Sequence, residues 1–454
     1  MPATIIAAPA WRGRMYLLYS FLTLLLLPLF ALRGWLRGKA EFHLRERLGT
    51  LPCAILSAAG GTGGTIWVHA VSVGEVLAGL PLARRLKERF PGRKLFVSTT
   101  TPTGQRLARE RMSFADGMFY FPLDFAASVR RVLKQLKPAA IVVLETEIWP
   151  NLLREARQAN VPVLFVNGRI SEKSFGRYRA LDAFLGGFLA RVMDDAALFL
   201  MQSEADAQRL LALGAPEERV EVTGNLKYDV APPQWSPVAD WLGKQSAEQE
   251  RWPLIVAGSV VEDEEEPVLA AFDVVERRWR HALLVLAPRK PERFDAAARI
   301  AEERGWKVAR RSRISLDAPL EEDADLLLLD SMGELAAMYS LADAVFVGGS
   351  LVPAGGHNIL EPAWFARPPV FGPHMQNFRE MAAEFLSADA AVQVANEHEL
   401  GVAWVKLIEG EMQSKRMGQA ARALVERNRG ATERSLERIA AALDANTRAV
   451  GGRR

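Results

Sequence analysis

The sequence predicts an α/β protein of two doubly wound domains, and three observations lead to that class. From Ile66 onward, short apolar runs alternate with helix-like stretches, the pattern of parallel βαβ units. The alternation breaks at 230–240, where VAPPQWSPVAD carries three prolines, and then begins again. At 454 residues the chain is also longer than one ordinary core sustains.

Taken in order, residues 1–40 read as a membrane anchor with a basic flank. Residues 15–32 (MYLLYSFLTLLLLPLFAL) carry no charge and have about the least length with which a helix crosses ~30 Å of hydrocarbon. Arg12 and Arg14 precede the stretch, and Arg33, Arg37 and Lys39 follow it, so the flanking charges orient it only weakly. Tyr16, Tyr19 and Trp35 suit the membrane interfaces. No small-x-small site follows, which argues against a cleaved signal. Pro28 leaves a bent helix inserted into one leaflet as the alternative to a full crossing. The glycines of 60–64 precede a strand, so they form a joint and not a dinucleotide loop.

The first domain, 41–229, has apolar runs at 66–71, 94–98, 139–144, 161–166, 196–201 and 220–223. Residues 230–240 are the linker. The second domain, 241–454, has runs at 254–257, 282–287, 326–329, 344–347 and 368–371, and closes with an amphipathic helical stretch over 411–447. Residues 451–454 are expected to fray.

Composition narrows the function. The chain is 49% hydrophobic and 24% charged, with a net charge of only +3, which gives no case for a nucleic-acid binder. Cys53 is the single cysteine, so an intrachain disulfide and a cysteine-rich metal site are both excluded. His69, His357 and His374 form no HExxH or close pair, so no metal is expected.

Chemistry-bearing residues collect where strands end, which is where open α/β sheets bind ligands. Glu75 follows the run Trp67–Val71 and could take a proton from an attacking hydroxyl. Ser72-x-x-Glu75 is equally a complete capping box. Glu145 and Glu147 end the run Ala139–Leu144. Two acids so close raise one pKa if both are buried, and are otherwise solvated loop residues. Lys227 lies just before the linker, where a cation could face a departing phosphate, although a lone lysine is commonly surface.

In the second domain, Pro288-Arg289 closes a strand and offers a rigid bidentate fork to phosphate. Ser331-x-x-Glu334 opens a helix, with Met332, Gly333 and Glu334 presenting free N–H groups to an anion, or merely capping it. Residues 345–378 hold the densest signal: a buried strand Val345–Val347, then Gly348, Gly349, Gly355 and Gly356, then Asn358 and Glu361 in capping-box register.

The block GGHNILEPAWF followed by FGPHMQNF resembles the Kdo transferases, which place 3-deoxy-manno-octulosonic acid (Kdo) on lipid A precursors. Further matches run in order along the chain: VHAVSVGEVLA (68–78), FPLDF (121–125), ETEIWPNL (145–152), NGRIS (167–171), GNLKYD (224–229), APRKPERF (287–294) and DSMGEL (330–335).

The resemblance implies the GT-B architecture, two Rossmann-like domains facing across a cleft, with the acceptor on the first and CMP on the second. It implies Glu75 as general base, Glu145 and Lys227 as transition-state stabilisers, and CMP contacts from Pro288, Arg289, Met332, Gly333, Glu334, Asn358, Ile359, Leu360 and Glu361. It further implies CMP-Kdo as donor, a lipid A precursor (lipid IVA) as acceptor, no cofactor, and a place on the cytoplasmic side of the bacterial inner membrane. The competing enzyme reading is a nucleotide-sugar epimerase, or another GT-B transferase with a different lipid-linked acceptor.

One segment departs from the family. Gly258-Ser259-Val260-Val261 stands where relatives carry Gly-Ser-Thr-His before an acidic run.

Overall fold

The structure is a computed structural model and describes residues 15–25, 43–60, 64–229 and 235–451. It contains two compact units: one runs to Asp229 and resumes at Arg429, the other is Val230–Asn428.

The first unit holds a seven-stranded sheet of β1 (Thr65–Ala70), β2 (Lys94–Thr99), β3 (Gly117–Tyr120), β4 (Pro138–Leu144), β5 (Val163–Gly168), β6 (Leu198–Met201) and β7 (Val220–Val222). Its order is β3-β2-β1-β4-β5-β6-β7 and every pairing is parallel. The sequence cause is visible in β1, where all six residues are buried, and in the unbroken apolar run of β4. Parallel strands covered on both faces need no polar alternation. Separate apolar clusters fill the two faces, one around Trp67, Phe119, Phe165 and Phe199, the other around Val68, Leu82, Val142 and Leu164.

The second unit repeats the plan with β8 (Leu254–Val260), β9 (Leu283–Pro288), β10 (Val308–Arg310), β11 (Leu326–Leu328), β12 (Ala344–Val347), β13 (Val370–Phe371) and β14 (Val392–Gln393). The order is β10-β11-β9-β8-β12-β13-β14, again parallel throughout. In each sheet the strand order reverses once, between β1 and β4 and between β8 and β12. Those two switch points are where doubly wound sheets open a crevice for a ligand.

The sequence pattern missed β3, β10 and β14. All three lie at or near sheet edges and are two to four residues long. An edge strand is covered on fewer sides, so it lacks the continuous apolar run that reveals a central one.

One expectation needs correction. The stretch 411–447 is helical, as expected. It breaks at Gly430, whose φ of +85° is left-handed, into Glu411–Asn428 and Ala431–Gly451. The second of these does not belong to the second domain, as 241–454 supposed. Its apolar row Leu436, Ile439 and Leu443 packs in the first unit with Val76, Leu82 and Leu86 of the helix Val73–Arg89. Asp229 fastens the return by accepting the N–H groups of Gly430 (2.6 Å) and Thr432.

The anchor expectation is only partly covered. Residues 15–25 are helical and lie on the first unit: the Tyr16 hydroxyl donates to Asp195 (2.9 Å), and the Asn151 amide donates to Ser20 (3.0 Å). An adjoining row, Leu17, Phe21 and Leu24, is 69%, 61% and 57% exposed. Among the described residues no helix is long and apolar enough to cross a membrane. Residues 1–14 and 26–40 of the expected anchor and its flank, 61–63 of the glycine joint, 230–234 of the linker and 452–454 of the expected frayed tail lie outside the described residues.

Candidate functional site

In the first unit the sequence-predicted residues gather at the switch point. Glu75 stands in the first turn of the helix Val73–Arg89, directly after β1, and is 6% exposed. Its carboxylate accepts the Val71 N–H (2.7 Å) and the Ser72 hydroxyl (3.1 Å). The expected capping box is therefore not formed: the carboxylate takes the N–H of Val71, one residue before the cap, and the Ser72 side chain bonds the carboxylate and caps no helix N–H. Burial pushes Glu75 up to about 8, and the charges of Glu145 and Glu147 push the same way against the two hydrogen bonds. A carboxyl so placed holds its proton near neutrality yet can release it, which suits a general base.

Glu145 follows β4, the neighbour of β1. Its φ of +57° is left-handed, a strained state for a residue with a Cβ, and its N–H is held by the Val166 carbonyl (2.9 Å). Glu147 is raised to about 6 by burial and by Glu145. The pair is thus not two freely solvated loop acids, and its charge acts on Glu75.

Asn167 is the last residue but one of the next strand, β5, and sequence reasoning did not single it out. It is 1% exposed with a φ of +60°, and its Oδ1 accepts the Leu226 N–H (2.9 Å). That bond sets the short turn Leu226–Tyr228, in which Asn225 Oδ1 accepts the Lys227 N–H (3.0 Å). Leu226 is buried in the same cluster as Val76, next to Glu75 in sequence. Lys227 is itself half-buried, and among the described residues no acidic side chain pairs with it. The signal available in the sequence was the NGRIS string: asparagine is one of the few residues that tolerate the left-handed region.

In the second unit the switch point carries the other group. Arg289 follows β9 and is exposed, its N–H bound to the Val260 carbonyl (2.8 Å). Its charge opposes the rise that burial imposes on Glu361, and with burial it drives His357 down to about 4. Asn358 donates to Glu361 (3.3 Å) and its Oδ1 accepts the Leu360 N–H (3.1 Å). The helix starts at Leu360, with Ile359 in the cap position, one residue later than the sequence suggested. Neutral His357 lies against Gly349, where a Cβ would come within 2.8 Å of the ring.

Met332, Gly333 and Glu334 do not open a long capped helix. Glu334 is the cap of the four-residue helix Leu335–Met338, its carboxylate taken by the Ser331 hydroxyl and by Arg311 (3.2 Å). Gly333 has a φ of +91° and, like Met332, is exposed.

The residue most clearly missed is Glu264, fully buried, which the sequence showed only as one acid in a run. One oxygen accepts the N–H groups of Gly349 (2.6 Å) and Val261 (3.1 Å), the other those of Ser350 and Leu351 (both 2.8 Å). Among the described residues no group of three or more His, Cys, Asp or Glu is arranged to hold a metal ion.

A family model described as 3-Deoxy-D-manno-octulosonic-acid transferase (kdotransferase) matches residues 43–230. A 3-deoxy-D-manno-octulosonic acid transferase of Haemophilus influenzae is 34% identical over 388 residues, covering 84% of this chain and 88% of that one. Another, from Bordetella pertussis, is 32% identical over 430 residues, covering 91% and 96%. Among solved structures, MurG of Acinetobacter baumannii aligns with a TM-score of 0.52 at 15% identity, over 83% of this chain and 99% of that one, a likeness of fold alone.

Proposed function

The chain belongs to the 3-deoxy-D-manno-octulosonic acid transferases, and from that premise we propose that it moves Kdo from CMP-Kdo to a lipid A precursor by direct displacement with Glu75 as base. Kdo transfer in lipopolysaccharide synthesis follows from the family. The donor nucleotide, the acceptor and the assignment of residues are the proposal. The observation that carries it is the buried carboxyl of Glu75 at the β1–β4 switch point, raised to about 8.

In this reading Glu75 accepts the proton of the acceptor hydroxyl as that oxygen attacks the anomeric carbon of Kdo. The bond to the CMP phosphate breaks and its electrons leave with CMP. Lys227 and Glu145 balance charge in that transition state. Arg289 neutralises the phosphate, Met332–Glu334 and Asn358–Glu361 line the nucleotide, and the Glu361 carboxylate accepts from ribose hydroxyls. CMP leaves as a stable anion, so the reading calls on no metal or cofactor.

Incubating the protein with CMP-Kdo and a tetra-acylated lipid A precursor should add Kdo mass to the lipid by mass spectrometry. A folded protein that adds none would overturn the acceptor assignment.

The helix 15–25 supports attachment to the cytoplasmic face of the inner membrane. Its polar face is fixed to the first unit while Leu17, Phe21 and Leu24 face outward. Changing those three residues to glutamine should release the protein from anionic vesicles in a flotation assay without shifting Tm. Undiminished flotation would refute this role for the helix.

A further inference from the structure

Glu264 has no part in the mechanism above, yet four main-chain N–H groups converge on its carboxylate. It sits at the β8–β12 switch point, and its four donors come from both sides of it: Val261 just beyond β8, and Gly349, Ser350 and Leu351 just beyond β12. Three of these donors lie 85 to 87 positions away in sequence.

The surrounding backbone leaves little freedom. Ser259 and Asp263 have left-handed φ of +57° and +70°. At Gly348 a Cβ would approach the Ser259 carbonyl oxygen to 2.4 Å, so the two chains touch main chain to main chain. The Val260 carbonyl, in the same turn as Val261, holds the Arg289 N–H. On the other side, Gly349 carries the His357 ring against it, and the Gly356 N–H returns to the Gly349 carbonyl (2.7 Å). One buried carboxylate therefore joins the strand end that holds Arg289 to the glycine loop that leads into His357, Asn358 and Glu361.

We propose that Glu264 is the positioning residue of the nucleotide-binding half: its carboxylate fixes Gly349–Leu351 against the end of β8 and so sets the spacing between Arg289 and the Asn358–Glu361 pair. It touches no substrate. This rests on the reading of those residues as the CMP site. At Val260 and Val261 the turn is held through its main chain, by the Val261 N–H to Glu264 and the Arg289 N–H to Val260.

The chemistry predicts which substitution is informative. Each oxygen of Glu264 accepts two N–H groups. Glutamine keeps the volume and one such oxygen, but turns an amide NH₂ toward the other two donors, leaving them unpaired. Aspartate keeps both acceptor oxygens but is one methylene short.

The test measures steady-state kinetics of Glu264→Gln and Glu264→Asp in the full chain against both substrates, with the thermal shift caused by CMP and hydrogen exchange at residues 349–351. The expected result is a KM for CMP-Kdo raised roughly tenfold or more in Glu264→Gln, with the KM for the lipid acceptor unchanged, a smaller CMP-induced rise in Tm, and faster exchange at Gly349–Leu351. Glu264→Asp should recover part of the donor KM.

A lowered Tm with both KM values unchanged would make Glu264 merely structural and overturn the proposal. If CMP failed to raise the Tm of the unaltered protein, the reading of the nucleotide site would fall instead, and the exchange rates would still report on the loop. Should Glu264→Gln not fold, Glu264→Asp carries the same comparison.

Discussion

Replacing Glu75 by glutamine is expected to lower kcat by about 10²–10⁴-fold, the usual contribution of a positioned general base, while making the protein more stable at alkaline pH. The second effect separates this carboxyl from a structural one. Burial raises the folded pKa to about 8 from 4.5. Between those two values the folded state keeps a proton that the unfolded chain has lost. Stability contributed by Glu75 is therefore present below pH 4.5 and falls as pH rises through 8. At about 1.4 kcal/mol per pKa unit, Glu75→Gln should exceed the unaltered protein by roughly 5 kcal/mol at pH 9 and match it near pH 4.

Activity moves the opposite way. The base must be ionised, so kcat/KM should climb with unit slope up to about pH 8 and level off. Because Glu145 and Glu147 raise Glu75 by their charge, Glu145→Gln should shift that limb toward lower pH. Chemical denaturation across pH, paired with pH–rate profiles, checks both. A Glu75→Gln variant with near-normal turnover, or with stability parallel to the original at every pH, would remove Glu75 from the mechanism.

Lys227→Met is the second large effect: kcat should drop by about 10²–10³-fold, the range seen when one preorganised charge-stabilising group is removed, with Tm essentially unchanged. Methionine keeps the length of the stem and deletes only the charge. The fold has little at stake there, because no acidic side chain among the described residues pairs with Lys227. Lys227 is only half-buried, and changes that break no packing, cap or ion pair usually stay within about 0.5 kcal/mol. What holds the lysine in place is its backbone, through Asn225, Asn167 and buried Leu226. Single-turnover rates and melting curves on the same preparation decide the matter. A lost Tm with proportionate loss of activity would mean the turn, not the charge, is what counts.

Much of this was legible from residues. Glu75, Glu145 and Arg289 could be placed because each follows an apolar run, and a run buried on both sides must be a parallel strand whose carboxyl end faces the ligand crevice. Asn358 and Glu361 were legible as a pair by their three-residue spacing. The ordered motifs named the family, and the relatives bear that out over most of the chain.

The protonation of Glu75 was not legible, since burial is a property of what packs around a residue. Capping boxes misled at Ser72 and Ser331 for a related reason. Spacing permits a box, but in the structure both serine hydroxyls bond the glutamate itself. Glu264 was hidden because three of its four donors lie on a loop far away in sequence.

By itself the sequence determined what depends on near neighbours: two parallel α/β sheets, the break at Asp229, the strand ends that carry acids and a cation, and membership of the Kdo transferases. Tertiary structure alone decided the allegiance of the last helix, whose apolar row matches a helix of the first unit. It alone decided the short edge strands, the raised Glu75 and the bonding of Glu264. Each of these turns on desolvation and on hydrogen bonds between segments distant in sequence, and local pattern carries no record of which distant segment will supply the partner.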